Sequence, residues 1–214
     1  MDTSSFSDIQ QTYPDAELLP VGGFTCDCYR VKLYGKFHFM KRLKPELRTD
    51  PRYVSALQKE FETGYRLDHP HLVRYVSKGE DCLLTEYVDG ENLKDFIVNH
   101  PDYFKSRKNA DRFLSQLLDV VGYLHQHQIV HLDLKPENIL ITRIGHEVKL
   151  TDLGFCYTHR ECSEQIAVRR WRCGWRDSSC CGSWTVAGMQ DVGQFRQLSH
   201  NLAGHQMKAA RLGA

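Results

Sequence analysis

Residues 131–140 read HLDLKPENIL, and a short way on the chain reads TDLG at 151–154. Asp133, Lys135 and Asn138 fall within six residues, and Asp152 adds a second carboxylate just beyond the next apolar run. A carboxylate can take the proton of an attacking hydroxyl, and an amide oxygen with a second carboxylate can hold a hard divalent cation. A lysine between them can lie against a polyanion. Those are the few groups that transfer of a phosphoryl group asks of a protein, which has little covalent work to do in it. Each residue type alone is common and usually just solvated, so the weight lies in the spacing.

The elements that must hold these residues are legible in outline. Residues 31–43, VKLYG followed by KFHFMKRL, predict a β-hairpin about Tyr34-Gly35-Lys36. Val54, Leu57, Phe61 and Tyr65 recur at helical spacing over 52–67, and Asp68-His69-Pro70 stops that run. LVRYV (72–76) and CLLTEYV (82–88), parted by Ser77-Lys78-Gly79, read as two more strands. Helices follow at 92–99 and 109–126, the second with Phe113, Leu114, Leu117, Leu118, Val121 and Leu124 as its core stripe. EVKLTDLG (147–154) reads as a short strand ending in a turn, which places the chemistry on loops between small strands. The pattern is α+β.

Bulk properties narrow the partners. With 214 residues, 41% hydrophobic and 26% charged, the chain can bury a core, and its formal charge of +1 gives no overall field for nucleic acid or a membrane surface. The N-terminus MDTSSFSDIQ lacks the pattern of a secretory leader, so a cytoplasmic location is the expectation. Eight cysteines occur without paired C-x-x-C units, and reduced thiols are expected.

The loop H-x-D-x-K-x-x-N followed by D-L-G resembles the protein kinase family. The resemblance implies roles residue by residue: Asp133 as catalytic base, Lys135 neutralising the transferring phosphoryl, Asn138 and Asp152 holding Mg²⁺, and His131 packing on the Leu153-Gly154 turn. Lys41 and Glu60 stand 19 residues apart, Glu60 ten before Pro70, and both intervals match the family's strand lysine and helix glutamate. LLTEYVDGENL resembles the hinge, with Thr85 as gatekeeper and Glu86 to Val88 offering backbone groups to adenine. Gly22 and Gly23 would belong to the phosphate loop, though the pair reads equally as a simple turn. The resemblance implies ATP and Mg²⁺ as cofactors and a protein Ser/Thr hydroxyl as acceptor, since Lys135-Pro136-Glu137 resembles the serine/threonine branch.

Several positions depart from the family. Pro20 and Thr25 stand where loop glycines are usual, Phe39 where a small alanine is usual, and Leu132 replaces an arginine beside the base. Gly64, four after Glu60, takes the place of a bulky residue, which predicts a gap in the packed column, and with Phe39 it leaves open a looser helix, a ligand-ordered one or poor nucleotide binding. After residue 165 the composition changes: 166–214 holds all three tryptophans and seven basic side chains against two aspartates, a net +5, leaving −4 for the first 165 residues. This stretch lacks an A-P-E segment and reads either as the product of a frame change near 160–168 or as an Arg- and Trp-rich interaction segment. With the large lobe incomplete, the helix at 109–126 and Ile139, Leu140 and Ile141 are expected to be partly exposed.

The expectation is therefore a kinase-like chain of two lobes: a flexible N-terminus (1–14), a nucleotide-binding lobe (15–88), a partial large lobe with the catalytic loop (89–160), and an atypical tail (161–214). The activity expected from the resemblance is serine/threonine phosphorylation from MgATP. The alternatives are a non-catalytic nucleotide-binding scaffold and, less in keeping with Lys135, a small-molecule phosphotransferase.

Overall fold

The computed structural model describes residues 9–158, which form two compact units. The first unit comprises the chain up to His69 together with Val73–Asp89; the second takes Pro70–Leu72 and the chain from Gly90 onward.

The first unit is a five-stranded antiparallel sheet with one helix. Its strands are β1 (Glu17–Leu18), β2 (Cys26–Leu33), β3 (Lys36–Leu43), β4 (Tyr75–Lys78) and β5 (Cys82–Glu86), in the order β1-β2-β3-β5-β4. The β2–β3 hairpin closes where predicted, Leu33 opposite Lys36, because Tyr34 and Gly35 both adopt positive φ (48° and 79°). That two-residue geometry matches the twist of the strands it joins. Helix α1 runs Pro51–Gly64, three residues shorter at its end than the periodicity predicts. Asp50 caps it by accepting from the Arg52 amide, and Pro51 supplies the fixed φ of a first turn.

Alternation divides the sheet into two faces. Tyr29, Val31, Met40 and Leu84 lie on one, where they are covered by Ile9 and Ala16, with Tyr13 packed alongside. The expected flexibility of the N-terminus is corrected for residues 9–14 alone: 9–12 form a helical turn and Ile9 is 2% exposed. Apolar residues spaced 9, 13, 16 lack a long periodic run, yet they suffice to cover a small apolar sheet face.

The second unit centres on α2 (Leu93–Asn99) and α3 (Arg107–Gln126). Strands β6 (Gly90–Asn92), β8 (Ile139–Thr142) and β9 (Val148–Leu150) form an antiparallel sheet in the order β6-β8-β9, and β7 (Ile129–Val130) pairs with β10 (Tyr157–Thr158). Asn92 caps α2 by accepting from Asp95 N at 2.9 Å. Gly90 is required where β6 meets β8, since a Cβ there would fall 2.1 Å from the Ile141 carbonyl oxygen.

Helix α3 buries Ala110, Phe113, Leu117, Val120, Val121 and Leu124. Leu118, expected in the core stripe, is 52% exposed. At about 100° per residue it stands roughly 110° from the centre of the buried face, a position that Val120 fills better. The predicted exposure of the 139–141 run is also corrected: Ile139 and Ile141 are fully enclosed between β6 and β9, and only Leu140 is half-buried.

Candidate functional site

The loop between β7 and β8 is built around His131, which is wholly buried. Its Nε2 lies 3.2 Å from the Thr151 carbonyl oxygen and its Nδ1 accepts from the Asp133 amide at 3.3 Å. One imidazole therefore ties the loop carrying Asp133 to the residue before Asp152. His131 thus meets the segment that leads into the Leu153-Gly154 turn, where Leu153 is 2% exposed. A second tie comes from the Thr151 amide, which donates to the Asn138 carbonyl at 3.0 Å.

Within this frame Asp133, Lys135 and Asn138 converge. Asn138 is 6% exposed, and its Nδ2 donates to both the Asp133 carbonyl and Asp133 Oδ2, each at 2.9 Å. Both partners can only accept, which fixes the amide nitrogen toward Asp133 and makes Oδ1 the atom able to serve a cation. Lys135 Nζ lies 2.7 Å from Asp133 Oδ2. That hydrogen bond, outweighing partial desolvation, raises the Lys135 pKa above its ordinary value, with the charges of Asp133, Asp152 and Glu137 adding to it. The ammonium is accordingly charged across the physiological range.

Backbone strain marks the same place. Leu132 and Asp152 hold φ of 63° and 65°, the left-handed region that non-glycine residues seldom occupy. Such positions cost on the order of 1–3 kcal/mol each and persist only where the surroundings enforce them. Asp152 Oδ1 accepts from the Gly154 amide at 3.3 Å, which turns the carboxylate within its own tight bend.

The first unit carries the other predicted residues. Lys41 on β3 meets Glu60 on α1 in an ion pair, Nζ to Oε2 at 2.8 Å, with the Glu60 side chain only 5% exposed. The predicted gap at Gly64 is absent. A Cβ there would fall 2.2 Å from the Tyr75 ring, so that ring occupies the space, and its hydroxyl donates to Glu60 Oε1 at 3.2 Å. Sequence reading missed Tyr75; the one available signal was a helix glycine four after Glu60 with an aromatic residue on the next strand.

Gly22 and Gly23 sit in a turn in which the Gly23 amide donates to Cys26 O at 3.1 Å. Neither has positive φ, and nothing lies within 4 Å of where a Gly23 Cβ would point. At the end of β5, Thr85 is buried and Glu86 is fixed from both sides: its amide donates to Arg74 O at 2.8 Å and its carboxylate accepts from Arg74 N at 3.2 Å. Val88 is half-buried just past the strand, and the chain passes into the second unit at Asp89–Gly90.

The donor set suits Mg²⁺, which is held by one or two protein oxygens and completed by substrate phosphates and water. Asn138 Oδ1 and the Asp152 carboxylate are oxygen ligands of that kind. Among the described residues no three His, Cys, Asp or Glu side chains form a self-sufficient metal cluster. Nor, among them, is any helix long and apolar enough to cross a membrane. The described cysteines, Cys26, Cys28, Cys82 and Cys156, are thiols.

A fold of antiparallel sheet with one helix, followed by a mainly helical unit bearing this loop, defines a class, and comparison agrees. Residues 19–183 match the protein kinase domain, and the chain belongs to that family. The match runs past residue 160, where motif reading stops, into residues that lie outside those described. It is 34% identical over 120 residues to the serine/threonine-protein kinase PrkC of Bacillus subtilis, covering 54% of this chain and 18% of that one. It is 39% identical over 109 residues to myosin light chain kinase 3 of Mus musculus, covering 49% and 14%. With the calcium/calmodulin-dependent protein kinase cmkA of Emericella nidulans it shares 37% over 118 residues, covering 52% and 27%. The aligned stretches thus span about a quarter or less of these relatives' length.

Proposed function

We propose that this chain carries the catalytic elements of a kinase that moves the γ-phosphoryl of ATP to a serine or threonine hydroxyl of a protein. The observation that carries it is the Asp133–Lys135–Asn138 network, in which one carboxylate is oriented by a buried amide and flanked by a charged lysine. In this reading Asp133 accepts the proton of the hydroxyl as its oxygen bonds to the γ-phosphorus, and the bond to the bridging oxygen breaks to release ADP. Lys135 offsets charge on the transferring group. Bound through Asn138 and Asp152, Mg²⁺ would supply charge neutralisation for the phosphates. Lys41, held by Glu60, would fix the nucleotide's phosphates, with Gly22 and Gly23 alongside and backbone groups of Glu86 and Val88 receiving adenine.

The acceptor class rests on Lys135-Pro136-Glu137, which resembles the serine/threonine branch, and on the similarity to the serine/threonine-protein kinase PrkC. A cytoplasmic location belongs to the same proposal. A non-catalytic nucleotide-binding reading draws on one observation: the Gly23 amide is engaged by Cys26 O and must be released before it can meet a phosphate.

The test offers γ-labelled ATP with Mg²⁺ and three acceptors: casein, a tyrosine-containing polymer, and an aminoglycoside. Label on casein serine or threonine is the expected result. Label on the aminoglycoside alone would overturn the proposal, and ATP binding without any label would favour the non-catalytic reading.

A further inference from the structure

Gly64 and Tyr75 pack as a complementary pair, the ring of one filling the space the other leaves. Helix α1 presents Glu60 and Gly64 one turn apart on the same face, which is the spacing at which helical side chains lie one above the other. At 64 there is no side chain, and the Tyr75 ring from β4 lies where one would be, with Cδ2, Cε2 and Cγ at 2.2, 2.3 and 2.7 Å from the ideal Cβ position. Nothing larger than hydrogen fits there while the ring stays. The ring is 4% exposed and meets Phe61 edge-on, centroids 6.4 Å apart.

Reaching through that space, the Tyr75 hydroxyl arrives at Glu60. The carboxylate is thus divided: Oε2 faces Lys41 Nζ at 2.8 Å, and Oε1 takes the phenolic O–H at 3.2 Å. A carboxylate held by one partner can turn about its last torsion, and a second donor on the opposite oxygen removes that freedom. Glu60 is 5% exposed, so water is a poor substitute for the lost donor. An aliphatic side chain at 64 would pack the helix but could not donate; a glycine that admits a tyrosine does both.

We infer that Tyr75 is a positioning residue, which holds Glu60, and through it Lys41, in the geometry needed to receive nucleotide phosphates, and that Gly64 is present to let it in. The inference deepens the proposed function and rests on its assignment of Lys41.

The test compares full-length wild type with Tyr75→Phe, Gly64→Ala and Glu60→Gln. Tyr75→Phe keeps the ring and removes only the hydroxyl; Gly64→Ala keeps the hydroxyl and pushes the ring. The readout is the rate at which Lys41 is modified by an amine-acylating reagent, measured by mass spectrometry of its peptide, beside a thermal melt. Lys41 is expected to react faster in Tyr75→Phe and Gly64→Ala, on the order of tenfold and approaching Glu60→Gln, as befits loss of a hydrogen bond to a charged group. A merely structural tyrosine predicts lower melting temperatures with the Lys41 rate unchanged. A wild-type Lys41 rate in folded Tyr75→Phe overturns the inference, as does a wild-type rate in folded Gly64→Ala. Since labelling requires no turnover, failure of the inference is distinguishable from failure of the kinase reading, which would appear as absent phosphate transfer by wild type.

Discussion

The Asn138 amide nitrogen holds Asp133 through two bonds of 2.9 Å, and in the proposed function its oxygen would serve the cation. Asn138→Ala is therefore expected to reduce phosphate transfer by about 10²-fold or more, because a catalytic group displaced by about an ångström loses that much. The check is a kinetic assay beside a thermal melt, with activity lost well beyond any loss of stability. Lys135 makes a different prediction. Its raised pKa, due first to the bond with Asp133, keeps it charged past the ordinary lysine value of 10.5. Any contribution of that pair to stability is complete at neutral pH and fades only as alkaline pH passes the raised value. Activity followed from pH 7 to 10 should show no falling limb that Lys135→Met removes.

Helices α1 and α3 show what could and could not be read ahead. The α3 stripe was legible in its buried members Phe113, Leu117, Val121 and Leu124, because 3.6-residue periodicity is local information. Leu118 was misread because a run of apolar residues does not reveal where the buried arc ends. Leu117→Ala should cost about 2–5 kcal/mol, and Leu118→Ala about 0.5 kcal/mol or less, as measured by urea unfolding. The Lys41–Glu60 pairing was legible from spacing against Pro70, whereas Tyr75 was not, since it enters α1 from a strand eleven residues on and leaves no periodic trace. The cap of α1 carries a pH signature. The Asp50 pKa is lowered, first by its side-chain bond to Arg52 and then by the Arg52 amide. Its charge thus adds stability that is present above 3.8 and lost as pH falls through the lower, folded value. Asparagine caps as well as aspartate, so Asp50→Asn isolates the charge. Wild type should melt above that variant at pH 7, and the difference should vanish on strong acidification; a difference constant with pH would contradict the assignment.

At the scale of the molecule, each unit carries its own part of the proposed chemistry: the Lys41–Glu60–Tyr75 set in the first, the loop from His131 to Asn138 with Asp152 in the second. The order of these sets along the chain made the α+β kinase fold readable, since a loop of ten residues with fixed offsets constrains more than any composition. The packing of residues 9–16 on the sheet was hidden for the opposite reason, three apolar residues being too few to announce a partner. The frame-change reading of 166–214 lies outside the described residues, and sequencing the coding DNA from codon 150 onward, with all frames translated, tests it: an A-P-E segment in another frame is the expected result. The central claim, that Asp133 serves as the base in transfer from ATP, is tested most directly by comparing phosphate incorporation into casein by wild type and Asp133→Asn under MgATP. The account predicts incorporation by wild type and near-complete loss in the variant with its fold intact; equal incorporation by both would contradict it.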